Sequence, residues 1–173
     1  PIVLTDRARA LHADSLLIDG HNDMPWEIRK QGSSFDKTDI SKPQSELQTD
    51  IPRLREGGVG AQFWSVWVPV ELGYKGEALS TTLEQIELVR QMISHYPDTF
   101  ALALTADDIE RIHKEGKIAS LIGVEGGHCI EESLPVLEKL YNLGARYMTL
   151  THTDSLSWAD SSTDAARNNG LTP

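Results

Sequence analysis

Apolar runs rich in β-branched and aromatic residues alternate with amphipathic stretches along the chain, and this alternation is typical of α/β folds. The runs predict five strands, at 16–19, 59–68, 100–104, 118–124 and 146–150. Most of the segments between them have helical spacing, so the strands should lie parallel with right-handed crossovers. An open doubly wound sheet and part of a (β/α)8 barrel both satisfy this order.

The predicted helices are marked by residues that favour an N-cap. Asp50, Thr82, Thr105 and Ser133 each precede a helix-like stretch, and Gly or Pro follows the end of each stretch. Thr82 with Gln85 also matches the spacing of a capping box. Residues 27–48 are polar and contain Gly, Ser and Pro, so they predict an excursion loop.

Composition narrows the classes of function. The chain has 173 residues, enough for one domain with a core, and a formal net charge of −10. Nucleic acids and anionic membranes attract basic surfaces, so neither is expected as the main partner. No apolar run approaches the roughly 20 residues that cross a bilayer, so no membrane span is predicted.

The sequence leaves the cellular compartment open. Cys129 is the only cysteine, so no internal disulfide can form. No signal peptide is visible, although the first residue is Pro rather than Met. A cytoplasmic location and export after removal of a leader not present in this chain are both compatible with these features.

Residues that bind metals follow three of the predicted strands. His21 and Asp23 come after the first strand, Glu125 after the fourth and His152 after the fifth. Each of them alone is typical of an ordinary strand end or of a structural histidine. The carboxyl ends of parallel strands share one edge, however, so the four should converge there on a metal or catalytic centre.

The donor types suit divalent cations. A carboxylate such as Glu125 can bridge two metals, and paired metals about 3.5–4 Å apart can clamp a hydroxide and polarise a carbonyl oxygen. Gly126 and Gly127 would let the backbone pass close to such a centre. The neighbouring His128 and Cys129 are interpreted as structural residues. A ligand set of histidine and carboxylates suits Zn²⁺, and it also suits Mn²⁺, Fe²⁺ and Co²⁺.

Three segments, DGHNDMPW, VEGGH and GARYMTLTHTDSLSWADS, resemble the membrane dipeptidase (renal dipeptidase) family of zinc peptidases. The resemblance covers nearly the whole chain, and the motifs occur in the family's order. It implies a (β/α)8 TIM-like barrel of the metal-dependent hydrolase type. It also implies a centre of two Zn²⁺ ions that hydrolyses dipeptides, in which a metal-bound hydroxide attacks the peptide carbonyl. In some members the substrate has a D-residue at its carboxyl end.

The same resemblance implies roles for individual residues. His21 and Asp23 would bind one zinc, and Glu125 would bridge both, as a metal ligand and a catalytic residue. His152 would contact the substrate and stabilise the tetrahedral intermediate. Trp158 and Asp160 match the loop beside the pocket and would help to bind the substrate.

The family's further zinc histidines, its remaining catalytic acid and a substrate-binding arginine lie on later strands. Residues 1–173 are therefore expected to be the N-terminal part of a single catalytic barrel domain, with about five of the eight strands, and to be incomplete for activity. A non-catalytic metal-binding or self-associating fragment stays an alternative, as does a related barrel amidohydrolase that acts on another amide. The sequence also leaves a homodimer open.

Overall fold

A parallel sheet flanked by helices makes up the computed structural model, which describes residues 3–172. The strands are β1 (Leu17–Asn22), β2 (Val59–Trp67), β3 (Phe100–Leu102), β4 (Ile118–Glu125) and β5 (Ala145–Met148). The helices are α1 (Asp6–Ala13), α2 (Met24–Lys30), α3 (Ile51–Glu56), α4 (Val70–Tyr74), α5 (Ala78–His95), α6 (Ala106–Lys114) and α7 (Leu134–Asn142). A short 3₁₀ turn, Gly127–Ile130, follows β4.

Every strand pairing is parallel, as the sequence predicts. At the centre, β2 and β4 stay in register from Ala61 opposite Ala119 to Trp67 opposite Glu125. The free side of β2 pairs with β1, and β5 pairs with β4 near its carboxyl end. The carboxyl ends of these four strands therefore lie along one edge of the sheet.

The position of β3 differs from the sequential strand order of a (β/α)8 barrel. β3 pairs with 118–120 at the start of β4, so β2 and β4 are direct neighbours. Its first residue, Phe100, is buried edge-to-face against Trp64 with ring centroids 5.7 Å apart. The apolar run at 100–104 therefore forms a strand that pairs with the amino end of β4, while β5 pairs nearer the carboxyl end of β4, and it does not lie between β2 and β4.

The predicted helix starts at Asp50 and Thr105 are confirmed, because both side chains cap their helices. The predicted start at Thr82 is wrong, since α5 begins four residues earlier. Thr82 and Gln85 are fully buried, and Gln85 Nε2 donates to the carbonyl of Trp67 at 3.2 Å. Their spacing imitates a capping box, but the two residues face the sheet. The predicted loop is also shorter than expected, since α2 occupies 24–30.

The core lies between the sheet and its helices. The largest cluster joins α2 and α5 to the sheet through fully buried side chains such as Ile28, Trp64 and Met92. A smaller cluster lies under α6, where Ile109 and Ile112 pack against β2 and β4. Burial of each such large side chain stabilises the fold by roughly 1.5–3 kcal/mol.

Apolar side chains stay exposed at the two outer sides of the sheet. On β1, Ile18 is 46% exposed, and on α7 beside β5, Leu134 is 74% exposed. A sheet that forms part of a barrel leaves such edges uncovered. Within residues 3–172, none of the helices has the length and apolar character needed to cross a membrane.

Candidate metal centre

Four side chains from three strand ends meet at the carboxyl edge of the sheet. His21 is the last residue but one of β1, Glu125 is the last residue of β4, and His152 follows β5. The ligand atoms of His21, Asp23 and Glu125 all lie within 4.8 Å of one another. The fold thus brings together residues that are up to 131 positions apart in sequence, as the shared strand-end position predicts.

Glu125 stands between two imidazoles. Its Oε2 lies 3.3 Å from His21 Nε2, and its Oε1 lies 3.5 Å from His152 Nε2. The hydroxyl of Ser65 donates to Oε2 at 3.1 Å and helps to fix the carboxylate. Each oxygen of Glu125 therefore faces a different side of the site, which is the arrangement that a bridging ligand requires.

The carboxylate of Asp23 is directed to the site rather than to its own helix. Asp23 Oδ1 lies 3.2 Å from His21 Nε2. Although Asp23 is the N-cap residue of α2, its side chain makes no capping hydrogen bond. Asn22 Oδ1 accepts the N–H of Met24 instead, at 3.0 Å. The Asp23 carboxylate is thereby left available to a ligand.

The donor set fits a divalent cation. His21 Nε2 faces oxygens of both Asp23 and Glu125. A divalent cation bound among these atoms would offset the mutual repulsion of the two carboxylates. Imidazole nitrogen with carboxylate oxygen is a donor set of Zn²⁺ and of neighbouring transition metals.

The segments after β4 and β5 are hydrogen-bonded to each other. Gly126 N–H donates to Thr149 Oγ1 at 2.7 Å, and Gly127 N–H donates to the carbonyl of Leu150 at 3.2 Å. Gly126 has a φ of +104°, and a Cβ there would meet the ring of His128 at 2.3 Å. A glycine is therefore required for the turn that holds Glu125 beside His152.

His128 and Cys129 have the contacts of structural residues. His128 is buried and its Nε2 lies 2.9 Å from the carbonyl of Val68. Burial lowers the pKa of His128, so the ring is neutral at physiological pH. Burial likewise raises the pKa of Cys129 to about 11, which keeps it a thiol.

Trp158 and Asp160 have structural contacts within their loop. The Asp160 carboxylate accepts the backbone N–H groups of Arg167, Asn168 and Gly170. The N–H groups of Gly170 and Arg167 are the main reason that the pKa of Asp160 is lowered. Trp158 packs against the core. The substrate-binding role of these two residues stays a prediction.

Several residues around the site escape the motif analysis. Trp67, the last residue of β2, lies 5.5 Å from the ring of His152 and 5.0 Å from that of Trp26 by ring centroids. Tyr147 on β5 contacts His21, and burial, with a further effect of the Glu125 charge, raises the pKa of Tyr147 to about 12. The signal available in sequence was period-two alternation, which places Ser65 and Trp67 on one face of β2.

The fold and the clustered donors define this chain as part of a barrel-type α/β protein with a candidate metal centre at its carboxyl edge. A family model described as membrane dipeptidase (peptidase family M19) matches residues 5–173. The chain belongs to the membrane dipeptidase family, which confirms the resemblance carried by the three motifs.

Relatives of known name are consistent with this membership. The chain is 43% identical to Dipeptidase 3 of Mus musculus over 92% of its own length and 31% of that protein. It is also 43% identical to Dipeptidase ataJ of Aspergillus terreus, over 91% of its own length and 40% of that protein. The chain thus spans between about three tenths and two fifths of the length of these relatives.

Solved structures confirm the predicted fold class. The probable dipeptidase PvdM from Pseudomonas aeruginosa matches with a TM-score of 0.80 at 22% identity, over 96% of this chain and 44% of that one. A metallo peptidase from Rhodobacter sphaeroides, liganded with a phosphinate mimic of the dipeptide L-Ala-D-Ala, matches with a TM-score of 0.66 at 16% identity, over 86% and 53%. The fold is TIM-barrel-like, and the chain forms part of the barrel.

Proposed function

We propose that this chain supplies the first metal-binding half of a zinc-dependent dipeptidase centre. The observation that carries the proposal is the position of Glu125 between His21 and His152, with the carboxylate of Asp23 beside His21. The named dipeptidase relatives support peptide hydrolysis as the reaction. The Rhodobacter complex supports a dipeptide as the substrate, since that related fold binds a mimic of one.

In this proposal the residues divide the work by position. His21 and Asp23 would hold one zinc ion, and Glu125 would be a ligand shared between that ion and a second one. When bound, zinc supplies Lewis acidity and lowers the pKa of water. The hydroxyl of Ser65 keeps the Glu125 carboxylate in the orientation that both sides need.

His152 has a different task, which is to hold a proton near the reacting carbonyl. β5 has no carboxylate that could bind a metal together with His152. The ring atom of His152 that is directed at Glu125 is Nε2. The ring of Trp67 packs beside it, with ring centroids 5.5 Å apart. A donor held in this way stabilises the negative charge that develops on the carbonyl oxygen.

The remaining ligands are proposed to come from beyond the 173 residues. The chain covers 31% and 40% of the two relatives, and its sheet has uncovered outer strands. Residues 1–173 alone are therefore expected to bind metal weakly and to hydrolyse dipeptides poorly.

Two substitutions in the natural protein test the division of labour. Glu125→Ala should remove bound zinc, because no other side chain of this cluster lies between His21 and His152. His152→Ala should keep the zinc and lower the rate by roughly 10²–10³, as loss of one oxyanion donor does. The measurements are metal content by mass spectrometry and steady-state kinetics with L-L and L-D dipeptides.

Glu110→Ala, at an exposed acid on α6, is the matched control and should change neither quantity. If His152→Ala lost its zinc while Glu125→Ala kept it, the two roles would be exchanged. If the unmodified protein bound zinc tightly and hydrolysed no dipeptide, a non-catalytic or different amide-hydrolysing function would replace this proposal.

A further inference from the structure

Tyr147 joins two strands that are not neighbours in the sheet. It lies on β5, which pairs with β4, whereas His21 and Gly20 lie on β1, on the far side of β2. The Tyr147 oxygen is 3.0 Å from His21 Nδ1 and 3.1 Å from the carbonyl oxygen of Gly20. One phenol thus contacts both the backbone and the side chain at the start of the candidate metal motif.

These two contacts together favour one placement of the protons. A phenol has a single proton, and the carbonyl of Gly20 can only accept. When the Tyr147 hydroxyl donates to Gly20, its oxygen can only accept a hydrogen bond from His21, which requires the N–H of the ring to be at Nδ1. In a neutral imidazole with a proton on Nδ1, Nε2 has the free lone pair. This Nε2 is the atom that faces Asp23 and Glu125.

The ring of Tyr147 occupies a space that the sequence keeps clear for it. A Cβ on Gly123 would lie 2.1 Å from Tyr147 Cζ, so no side chain fits at that position of β4. Phe63 on β2 lies on another side, with ring centroids 5.1 Å apart. The phenol is thereby held across the face of the sheet, over Gly123, which lies two residues before Glu125 on β4.

We propose that Tyr147 is a positioning residue that sets the tautomer and orientation of His21 so that Nε2 is free to bind the metal. The inference rests on the proposed metal site and adds to it the element that prepares its histidine. Hydrogen bonds of this kind to the distal nitrogen of a ligating histidine raise its basicity and fix its ring.

The test replaces Tyr147 by Phe in the natural protein, which removes the hydroxyl and keeps the ring. Zn²⁺ affinity, measured by competition with a chromophoric chelator, should fall about 10–100-fold. The ¹⁵N signals of His21 in the metal-free protein, assigned by their loss in His21→Ala, should show the proton on Nδ1 before the change. After the change they should show a mixture of tautomers.

Tyr141→Phe is the matched control, because Tyr141 is exposed on α7, where its ring lies against Arg146. It should leave affinity and tautomer unchanged. A proton on Nε2 of His21 in the unmodified protein would overturn the proposal, even if Tyr147→Phe fails to fold. So would unchanged affinity in Tyr147→Phe, or lower affinity with an unchanged tautomer. If the protein binds no zinc, the proposed function fails, while the tautomer comparison still tests Tyr147.

Discussion

Two helices of this chain begin with nearly the same tripeptide and use its aspartate in opposite ways. Asp23-Met24-Pro25 begins α2, and Asp50-Ile51-Pro52 begins α3. Aspartate at the N-cap followed by proline in the first turn is a standard helix start. The tripeptide alone does not distinguish the two aspartates, although the position of Asp23 after a strand predicts a metal ligand.

Asp50 caps its helix. Its backbone is extended, with φ −150° and ψ 166°, and its Oδ1 accepts the N–H of Arg53 at 2.8 Å. Its Oδ2 accepts from Gln44 N–H and from the Arg53 guanidinium. The residue is 1% exposed. Every oxygen of this carboxylate is used to hold the chain in place.

Asp23 has the other conformation, with φ −86° and ψ 11°. This backbone is not the extended one from which a side chain reaches the N–H groups of the first turn. The carboxylate, whose side chain is 59% exposed, lies beside His21 instead. A missing cap costs about 0.5–2 kcal/mol, part of which Asn22 offsets by accepting the N–H of Met24. The comparison teaches that the same tripeptide can use its aspartate to cap a helix or leave the carboxylate beside His21, depending on the backbone dihedrals of that aspartate.

The largest predicted effect is on metal binding, where Asp23 and Asp50 should differ most. Asp23→Ala in the natural protein should weaken Zn²⁺ binding by more than about 100-fold, since it removes a ligand rather than a residue behind one. Its free energy of unfolding in the metal-free state should change by less than about 0.5 kcal/mol, because the carboxylate makes no cap. Chelator competition measures the first quantity and urea unfolding the second.

Asp50→Ala is the matched control for metal affinity and should leave it unchanged. Equal losses of zinc affinity in both variants would show that the two aspartates act alike. The assignment of Asp23 to the metal would then be abandoned.

The second prediction concerns stability and its pH dependence at Asp50. Asp50→Ala should lower the free energy of unfolding by about 2 kcal/mol at pH 7, the upper end for a lost cap. Burial alone would raise the pKa of this carboxyl. The N–H groups of Gln44 and Arg53 and the Arg53 guanidinium outweigh burial and leave the pKa below its usual value.

A lowered folded-state pKa means that the carboxylate stabilises the protein above its unfolded-state pKa of about 3.9. This stabilisation is lost as the pH falls through the lower folded-state value. The difference between the unmodified protein and Asp50→Ala should thus be largest at neutral pH and shrink below about pH 4. A difference that grows on acidification would contradict this assignment of charge.

Much of the fold could be predicted because the hydrophobic period of each segment and the order of strands and helices along the chain can be seen in the sequence. Runs of β-branched residues marked the strands, and parallel pairing then placed His21, Glu125 and His152 at one edge. The position of β3 could not be predicted, because it depends on how Phe100 packs against Trp64. A short apolar run predicts a strand but does not indicate which other strand it pairs with.

The same limit applies to the site. The candidate ligands lie in compact motifs, whereas Tyr147 and Trp67 contact histidines that are far away in sequence. Asp160 shows the reverse case: its place in a family-like segment suggests substrate binding, yet backbone N–H groups surround its carboxylate. Which donors surround a side chain follows from backbone dihedrals that residue type does not determine.

The smallest predicted effect is on stability, and it extends the comparison of capping residues to two further helix starts. Thr105 and Ser133 are both N-cap residues by sequence. Thr105 accepts the N–H of Asp108 at 3.1 Å, and the Asp108 carboxylate accepts the N–H of Thr105 in return. Ser133 makes no side-chain capping bond. Thr105→Ala should therefore lower the free energy of unfolding by about 1 kcal/mol, and Ser133→Ala by less than about 0.5 kcal/mol. Urea unfolding of both variants measures the difference, and neither variant should change zinc affinity.

Ser133 differs from Asp23 because it neither caps its helix nor belongs to the candidate metal centre. Equal losses of unfolding free energy in Thr105→Ala and Ser133→Ala would therefore show that residue type alone determines a cap. The contrast between Asp23 and Asp50 would then lose its physical basis.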